Sequence, residues 1–234
     1  MKVFSRISQE IKNFIYGLRA RSTSIPAIVN YDVPYVCQFA TPESAELSLT
    51  KKLVPADDPD WKNTGAVSPA RYSQWAFTMC GMASVSMALK HFKGNHTQVA
   101  QLAEDALQEG VYVEDSKDIS SMKYKEFTRW IKKYGLQAEM YTTLSLKGIQ
   151  LALAEGKLVI VSVNPNIRGY NTAPVIQKGG HLVLVTGYDK TASTVSLNNP
   201  SGFVSTNTQI KHTLSEWDFA HYYAGRGILV SPID

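Results

Sequence analysis

The sequence has few cysteines and no long apolar run. Only Cys37 and Cys80 occur in 234 residues, which is too few for a disulfide framework or a thiolate zinc cage. No stretch approaches the ~20 apolar residues of a membrane span. Arg6, Glu10 and Lys12 interrupt the N-terminal apolar residues before the core of a secretory signal could form. These absences favour a reducing compartment and predict a cytoplasmic protein.

The sequence also lacks a basic surface outside its N-terminus. The formal net charge is +4, and the first 21 residues account for it, because five basic residues accompany only Glu10 there: Lys2, Arg6, Lys12, Arg19 and Arg21. The rest of the chain has 19 residues of each sign. Nucleic-acid binding needs a basic patch or stripe. We therefore predict no nucleic-acid partner.

The N-terminus has the pattern of an amphipathic helix. Apolar residues recur at steps of three and four over residues 3–20, at Phe4, Ile7, Ile11, Phe14 and Leu18. Pro26 ends this pattern, so we predict a helical arm over residues 1–25 and a single domain over 26–234. The simplest interpretation is an arm that packs on the domain with its apolar face. Docking on an anionic membrane surface, docking on a partner and a removable pro-segment remain open.

The order of predicted elements indicates an α+β fold. A segment over 41–75 is rich in turn formers, and we expect it to act as a lid or a substrate-contact loop. The predicted helices cover 80–94, 97–109, 122–134 and 145–155, and the predicted strands cover 158–163, 181–186, 194–197 and 227–230. A helical N-terminal half therefore packs on a C-terminal antiparallel sheet.

Cys80 is the candidate nucleophile. It begins a helix that is apolar or small on most faces, so the positive end of the helix dipole and free backbone N–H groups would lie at its sulfur. A helix N-terminus and a nearby imidazolium both lower a thiol pKa, and we expect a lowered pKa here. Gly81 next to it would leave room for a substrate backbone. A buried structural cysteine is the alternative interpretation, and it is the one that we favour for Cys37.

His181 and Asn199 are the candidate partners of that cysteine. His181 follows two glycines and opens an apolar strand, which indicates an exposed catalytic edge; a hydrogen-bonded structural histidine is the alternative. Asn199 ends the next strand, so a hairpin would place its side-chain carbonyl beside the imidazole and fix its tautomer. By itself, Asn199-Pro200 is also an ordinary turn.

These motifs resemble the bacteriocin-processing, double-glycine peptidase-like branch of the papain-like cysteine peptidases. The resemblance spans residues 31–203 in order, through Gln38 in Val-Pro-Tyr-x-x-Gln, Cys80-Gly-Met-Ala at a helix start, Gly180-His181 before an apolar strand, and Asn199-Pro200. The third member in this branch is commonly Asp, whereas this chain has Asn, as papain does. The segment between Gln38 and Cys80 is also longer than in the family pattern.

The resemblance implies a papain-like fold and a Cys-His-Asn triad. The implied catalytic residues are Cys80, His181 and Asn199, with Gln38 and the Cys80 N–H as the oxyanion hole. The substrate would be a peptide or protein. No metal or organic cofactor is implied, because side chains and backbone supply all the chemistry. Two alternatives stay open: acyl transfer to an amine, as in an isopeptidase or a transglutaminase-like enzyme, and a catalytically idle relative that binds peptides.

Overall fold

The computed structural model describes residues 2–116, 118–169 and 175–233, with side chains from residue 7 onward. Its helices are α1 (Lys2–Ser22), α2 (Pro42–Leu49), α3 (Pro69–Trp75), α4 (Cys80–Lys93), α5 (Val99–Gln108), α6 (Tyr124–Trp130), α7 (Leu146–Ala154) and α8 (Glu216–Tyr222). Its strands are β1 (Ile28–Asn30), β2 (Glu114–Asp115), β3 (Asp118–Ile119), β4 (Leu136–Tyr141), β5 (Leu158–Val163), β6 (His181–Asp189), β7 (Thr194–Asn198), β8 (His212–Ser215) and β9 (Tyr223–Pro232).

One antiparallel sheet organises the chain. Within the described ranges it has seven strands, in the order β4-β9-β5-β6-β7-β8, with β1 paired to β6. The register pairs His181 with Val163 of β5 and pairs Leu184 with Asn198 of β7. The start of β6 and the end of β7 therefore lie at the same end of the sheet, because antiparallel neighbours run in opposite directions.

Both faces of the central strands are buried, which explains why they are almost continuously apolar. Leu158 and Ile160 of β5 belong to the core cluster with α4 and α5, whereas Val159 and Val161 belong to the cluster with α7 on the opposite face. Successive side chains of a strand point to opposite faces, so an apolar layer on each side requires an unbroken apolar run. The predicted α+β class is confirmed.

Helix α4 is the central helix of the first half. Its residues from Gly81 to Leu89 are all buried, and the helix packs on β5, β6 and β9. It ends at Gly94, which adopts a left-handed conformation at φ 67°. Cys80 is its first residue. A helix of mostly small and apolar residues, packed between the sheet and α5, gives Cys80 a fixed position.

The segment over 41–75 folds into short helices. It contains α2 and α3, with single turns of 3₁₀ helix at Pro55–Asp57 and Trp61–Thr64. Thr41 and Ser68 cap α2 and α3 through side-chain oxygens that accept from backbone N–H groups. The turn-forming residues of the sequence therefore mark helix starts as well as loops.

Helix α1 packs on the body through a face that the sequence did not indicate. Tyr16 and Ala20 are buried, Tyr16 donates a hydrogen bond to the Gly148 carbonyl at 3.2 Å, and Asn13 donates to Thr142 at 2.7 Å. The predicted inward residues Ile7, Ile11, Phe14 and Leu18 are instead exposed, Phe14 by 67%. The side chain of Phe4 lies outside the described residues. The helix is thus confirmed, and its predicted packing face is wrong.

The division into an arm over 1–25 and a domain over 26–234 stays a prediction. In the described part of the chain, no helix combines the length and the apolar character that crossing a bilayer requires.

Candidate active site

Cys80 lies half-buried at the first turn of α4. Backbone N–H groups of Leu182, Gly81 and Cys80 itself interact with its sulfur and lower the thiol pKa. Burial acts in the opposite direction and is the larger effect, so the pKa of Cys80 lies above its ordinary value. The expectation of a lowered pKa is therefore wrong for the free protein, because desolvation of the thiolate outweighs the helix N-terminus.

Gly81 has a packing role. A Cβ at this position would lie 2.8 Å from Met122 Sδ, 3.2 Å from Leu182 Cδ1 and 3.4 Å from the Tyr112 hydroxyl. Side chains of the protein therefore fill the space that we expected a substrate backbone to use. That interpretation of Gly81 is wrong.

His181 and Asn199 are brought together as the hairpin predicted. His181 Nε2 lies 2.8 Å from Asn199 Oδ1. The Ser201 backbone N–H donates to the same oxygen at 3.2 Å, so the atom that faces both groups is the amide oxygen, an acceptor. His181 Nε2 must then be the donor, which places the hydrogen on Nε2 and leaves a lone pair on Nδ1.

His181 is buried, in contrast to the exposed edge predicted from its two preceding glycines. Only 3% of the residue is exposed. Burial and the positive charge of Arg168 lower the pKa of His181 to about 3, and the hydrogen bond to Asn199 opposes that shift. The imidazole is consequently neutral at physiological pH and able to accept a proton at Nδ1.

A buried arginine behind the histidine was not found from the sequence. Arg168 is 6% exposed and donates through Nη2 to Ser201 Oγ at 2.6 Å and through Nε to the Ser201 carbonyl at 2.9 Å. Ser201 Oγ in turn lies 3.3 Å from His181 Nε2. The guanidinium thus fixes the turn that carries Asn199, and it disfavours the charged imidazole.

Gln38 joins the two halves of the molecule beside these residues. Its backbone N–H donates to the Pro200 carbonyl and its side-chain Nε2 donates to the Ala76 carbonyl at 2.8 Å. The side chain is buried, and Oε1 has no hydrogen-bond partner among the described residues. One bond to Ala76 uses one of the two Nε2 hydrogens, so the other remains available.

Cys37 next to it is buried, and its single S–H hydrogen lies between two possible acceptors, the carbonyls of Thr41 and Pro200, each 3.3 Å from the sulfur. Burial raises the pKa of this thiol to about 12. An inert structural thiol fits these contacts.

Cys80 and His181 line one cavity of about 420 Å³. Its walls combine apolar side chains with a few polar ones, among them Tyr112, Tyr124, Ser162 and Arg226. None of these polar residues was singled out in the sequence. No residue of 41–75 lines this cavity, and a role of that segment as a lid or a substrate-contact loop stays a prediction. Phe77 and Thr78, just before Cys80, do line it.

No metal site accompanies this cavity in the structure as described. The His, Cys, Asp and Glu residues of the described ranges form no group of three or more that could hold a metal ion.

The family of the chain follows from comparison with known proteins. Residues 68–227 match the model of the peptidase C39-like family, which is more than half of the chain. The chain belongs to the peptidase C39-like family. This confirms the resemblance that the motifs around Cys80 and His181 indicated. No curated protein has a sequence that matches this chain.

Solved structures of low sequence identity are similar to this one. The peptidase domain of ComA from Streptococcus, a bifunctional ABC transporter in a quorum-sensing pathway, is 15% identical with a TM-score of 0.44, over 66% of this chain and 92% of that one. A double-glycine motif protease from an AMS/PCAT transporter, in complex with the leader peptide, is 14% identical with a TM-score of 0.44, over 88% and 95%. The N-terminal peptidase C39-like domain of a toxin secretion ATP-binding protein from Vibrio parahaemolyticus is 16% identical with a TM-score of 0.41, over 65% and 93%.

Proposed function

We propose that the chain is a cysteine peptidase with Cys80 as nucleophile, His181 as base and Asn199 as the residue that orients the histidine. The observation that carries this proposal is the 2.8 Å contact between His181 Nε2 and Asn199 Oδ1, with the same histidine and Cys80 both lining one cavity. Membership of a peptidase family supports a peptide bond as the target.

The protonation states of Cys80 and His181 in the resting site fit general-base catalysis. Cys80 is a thiol because burial raises its pKa, and His181 is a neutral imidazole because burial lowers its own. His181 Nδ1 takes the Cys80 proton as the sulfur attacks the substrate carbonyl, and Asn199 Oδ1 accepts from Nε2 throughout. The imidazolium then gives the proton to the leaving amine, and water releases the acyl group from the sulfur.

The oxyanion of the tetrahedral intermediate would receive hydrogen bonds from the Cys80 N–H and from Gln38. The free Nε2 hydrogen of Gln38 supplies the second donor, because Ala76 holds only the first. Loss of one such donor typically costs about 2.7–4 kcal/mol of barrier. Gln38→Glu keeps the size of the side chain and replaces the donor with an acceptor, so it is the sharpest single test of this role.

Cleavage can be tested without knowing the substrate. A library of N-acetylated decapeptides is incubated with the wild type and with Cys80→Ala, and new termini are identified by mass spectrometry. We expect cleavage by the wild type that Cys80→Ala abolishes, because the acyl intermediate requires the sulfur. Equal product in the two proteins would exclude the proposed nucleophile.

The two alternatives give different outcomes in the same experiment. An acyl-transferring enzyme would form an amide with an added primary amine, detected as a mass increase on the new C-terminus. An idle relative would bind peptides and release none of them changed, and its Cys80 would react like a free thiol. The intact set of Cys80, His181, Asn199 and Gln38 favours an active enzyme.

Helix α1 supports a second, separate role in docking. Its exposed apolar residues form one stripe, and Lys12 and Arg19 flank it while pairing with Glu139 and Glu155 of the body. An apolar stripe with basic residues beside it is typical of a helix that lies on an anionic membrane surface. We expect Phe14→Ser to reduce sedimentation with phosphatidylserine vesicles and to leave sedimentation with phosphatidylcholine vesicles unchanged. A cytoplasmic location of the chain remains a prediction.

A further inference from the structure

A positive side chain lies in the cavity beside the proposed nucleophile. Arg226 of β9 lines the same cavity as Cys80 and His181. It donates through Nη2 to Ser162 Oγ at 3.2 Å, and the Tyr124 phenol lies within hydrogen-bonding reach of both. No carboxylate of the described residues pairs with this guanidinium. Its hydrogen-bond partners are neutral hydroxyl groups.

The backbone beside Arg226 makes room for it. Gly179 adopts φ 107°, a conformation that favours glycine. A Cβ at this position would lie 2.6 Å from Arg226 Nη2 and 3.2 Å from Ser162 Oγ. The absence of a side chain at Gly179 thus leaves the space in which the Arg226 guanidinium reaches the cavity wall.

A neutral donor in the same cavity lacks any acceptor. The Tyr112 residue is 1% exposed, and its hydroxyl has no hydrogen-bond partner among the described residues. Much of the remaining wall is apolar, including Phe77, Met122 and Leu182. A buried donor without a partner costs free energy that a bound acceptor recovers. The cavity therefore offers one positive charge without a carboxylate partner and one unpaired hydroxyl, that of Tyr112, within a largely apolar wall.

From this arrangement we infer that the cavity binds a carboxylate of the peptide substrate next to the scissile bond, with Arg226 as the residue that determines this specificity. Arginine pairs with a carboxylate through two parallel hydrogen bonds, which fixes its position as well as its charge. The carboxylate belongs either to an Asp or Glu side chain or to a free C-terminus. This inference rests on the proposed peptidase function, since it names the substrate class of that site.

Peptide cleavage tests the inference and separates the two sources of the carboxylate. Decapeptides with Glu near the scissile bond are compared with the matched Gln peptides, each with a free or an amidated C-terminus. We expect the wild type to require one of the two carboxylates. Either the Glu peptide is cleaved at least about tenfold better in kcat/KM than the Gln peptide, or the peptide with a free C-terminus is cleaved at least about tenfold better than the amidated one.

Variants of Arg226 test whether this residue causes the preference. Arg226→Gln should remove the preference, Arg226→Lys should retain part of it, and Arg226→Glu should favour Lys at the same position. Arg129→Gln, at a side chain that is 70% exposed elsewhere, is the matched control and should keep the wild-type preference. Equal cleavage of acid and amide peptides by the wild type would overturn the inference.

An alkylation assay tests the positive charge without any peptide turnover. In a Cys37→Ser background, the rates of Cys80 alkylation by iodoacetate and by iodoacetamide are measured and expressed as a ratio. Arg226→Gln should lower this ratio at least several-fold because the anionic reagent loses its partner, and Arg129→Gln should not change it. An unchanged ratio in Arg226→Gln would refute the anion site even if peptides are cleaved. A lowered ratio without any peptide cleavage would retain the anion site and refute the peptidase.

Discussion

Acid should destabilise the protein through His181 in a way that one substitution removes. The pKa of this histidine is about 3 in the folded protein, and an unfolded histidine has a pKa of ~6.5. Between these values the unfolded chain binds a proton that the folded protein does not bind. The free energy of unfolding therefore falls as the pH is lowered from about 6.5 toward about 3, and this contribution is absent above 6.5.

The size of the effect follows from the two pKa values. At pH 5 the unfolded histidine is almost fully protonated and the folded one is almost fully neutral. The pH lies 1.5 units below ~6.5, and each unit corresponds to about 1.36 kcal/mol, so His181 lowers the free energy of unfolding by about 2 kcal/mol relative to pH 7.5. This is a large share of the typical stability of a domain, ~5–15 kcal/mol.

Urea unfolding of the wild type and His181→Gln at pH 7.5 and pH 5 measures this contribution. Gln can still donate to Asn199 and does not titrate, so the loss of stability between the two pH values should be about 2 kcal/mol smaller in the variant. His221→Gln removes an exposed histidine and should retain the wild-type difference. If His181→Gln lost as much stability as the wild type, the buried neutral imidazole would be refuted.

Three further substitutions probe the surroundings of the histidine. Asn199→Ala leaves the His181 Nε2 hydrogen without its acceptor, and we expect a loss of about 1–3 kcal/mol in urea unfolding; unchanged stability would contradict the 2.8 Å hydrogen bond. Arg168→Gln removes a positive charge that lowers the pKa of His181, so an NMR titration should give a higher pKa in the variant, and a lower one would contradict this electrostatic account. Gly81→Ala forces its Cβ against Met122 Sδ and should destabilise the fold by about 1–3 kcal/mol, measured as a lower Tm; an unchanged Tm would show that Met122 moves freely.

Local patterns predicted the elements that carry the candidate triad. The buried run after Cys80 and the glycine that ends it give α4 within one residue at its C-terminal end. The apolar strand after His181 and the turn at Asn199 give a hairpin, and the antiparallel register of β6 and β7 then brings the two side chains together. These predictions succeed because helix caps and short hairpins depend on residues that are close in the sequence.

Features that depend on distant parts of the chain were not predicted. Arg168 lies in Asn-Ile-Arg-Gly and Arg226 lies in Gly-Arg-Gly, and both patterns are typical of turns. Only the pairing of β9 with β5 brings Arg226 to Ser162. The expectation of a lowered pKa for Cys80 is wrong for the same reason. The helix N-terminus is visible in the sequence, whereas the burial that outweighs it arises from tertiary packing.

The face of α1 shows a further limit of pattern analysis. An apolar stripe normally indicates the buried face of a helix, yet α1 buries Tyr16 and Ala20 and makes polar contacts through Gln9 and Asn13. Periodicity identifies a helix and its apolar stripe. It does not show whether the stripe is covered by the same chain.

The pH dependence of Cys80 alkylation by iodoacetamide tests the central claim, the transfer of the Cys80 proton to His181, most directly. The rate is measured in a Cys37→Ser background with and without His181→Gln. We predict a wild-type rate that stays nearly constant from pH 4 to 8, because His181 remains a neutral base down to about 3, and a rate at pH 7 that falls at least tenfold in His181→Gln. A wild-type rate that rises tenfold per pH unit toward ~8.5 or above, and that is the same in His181→Gln, would contradict the claim.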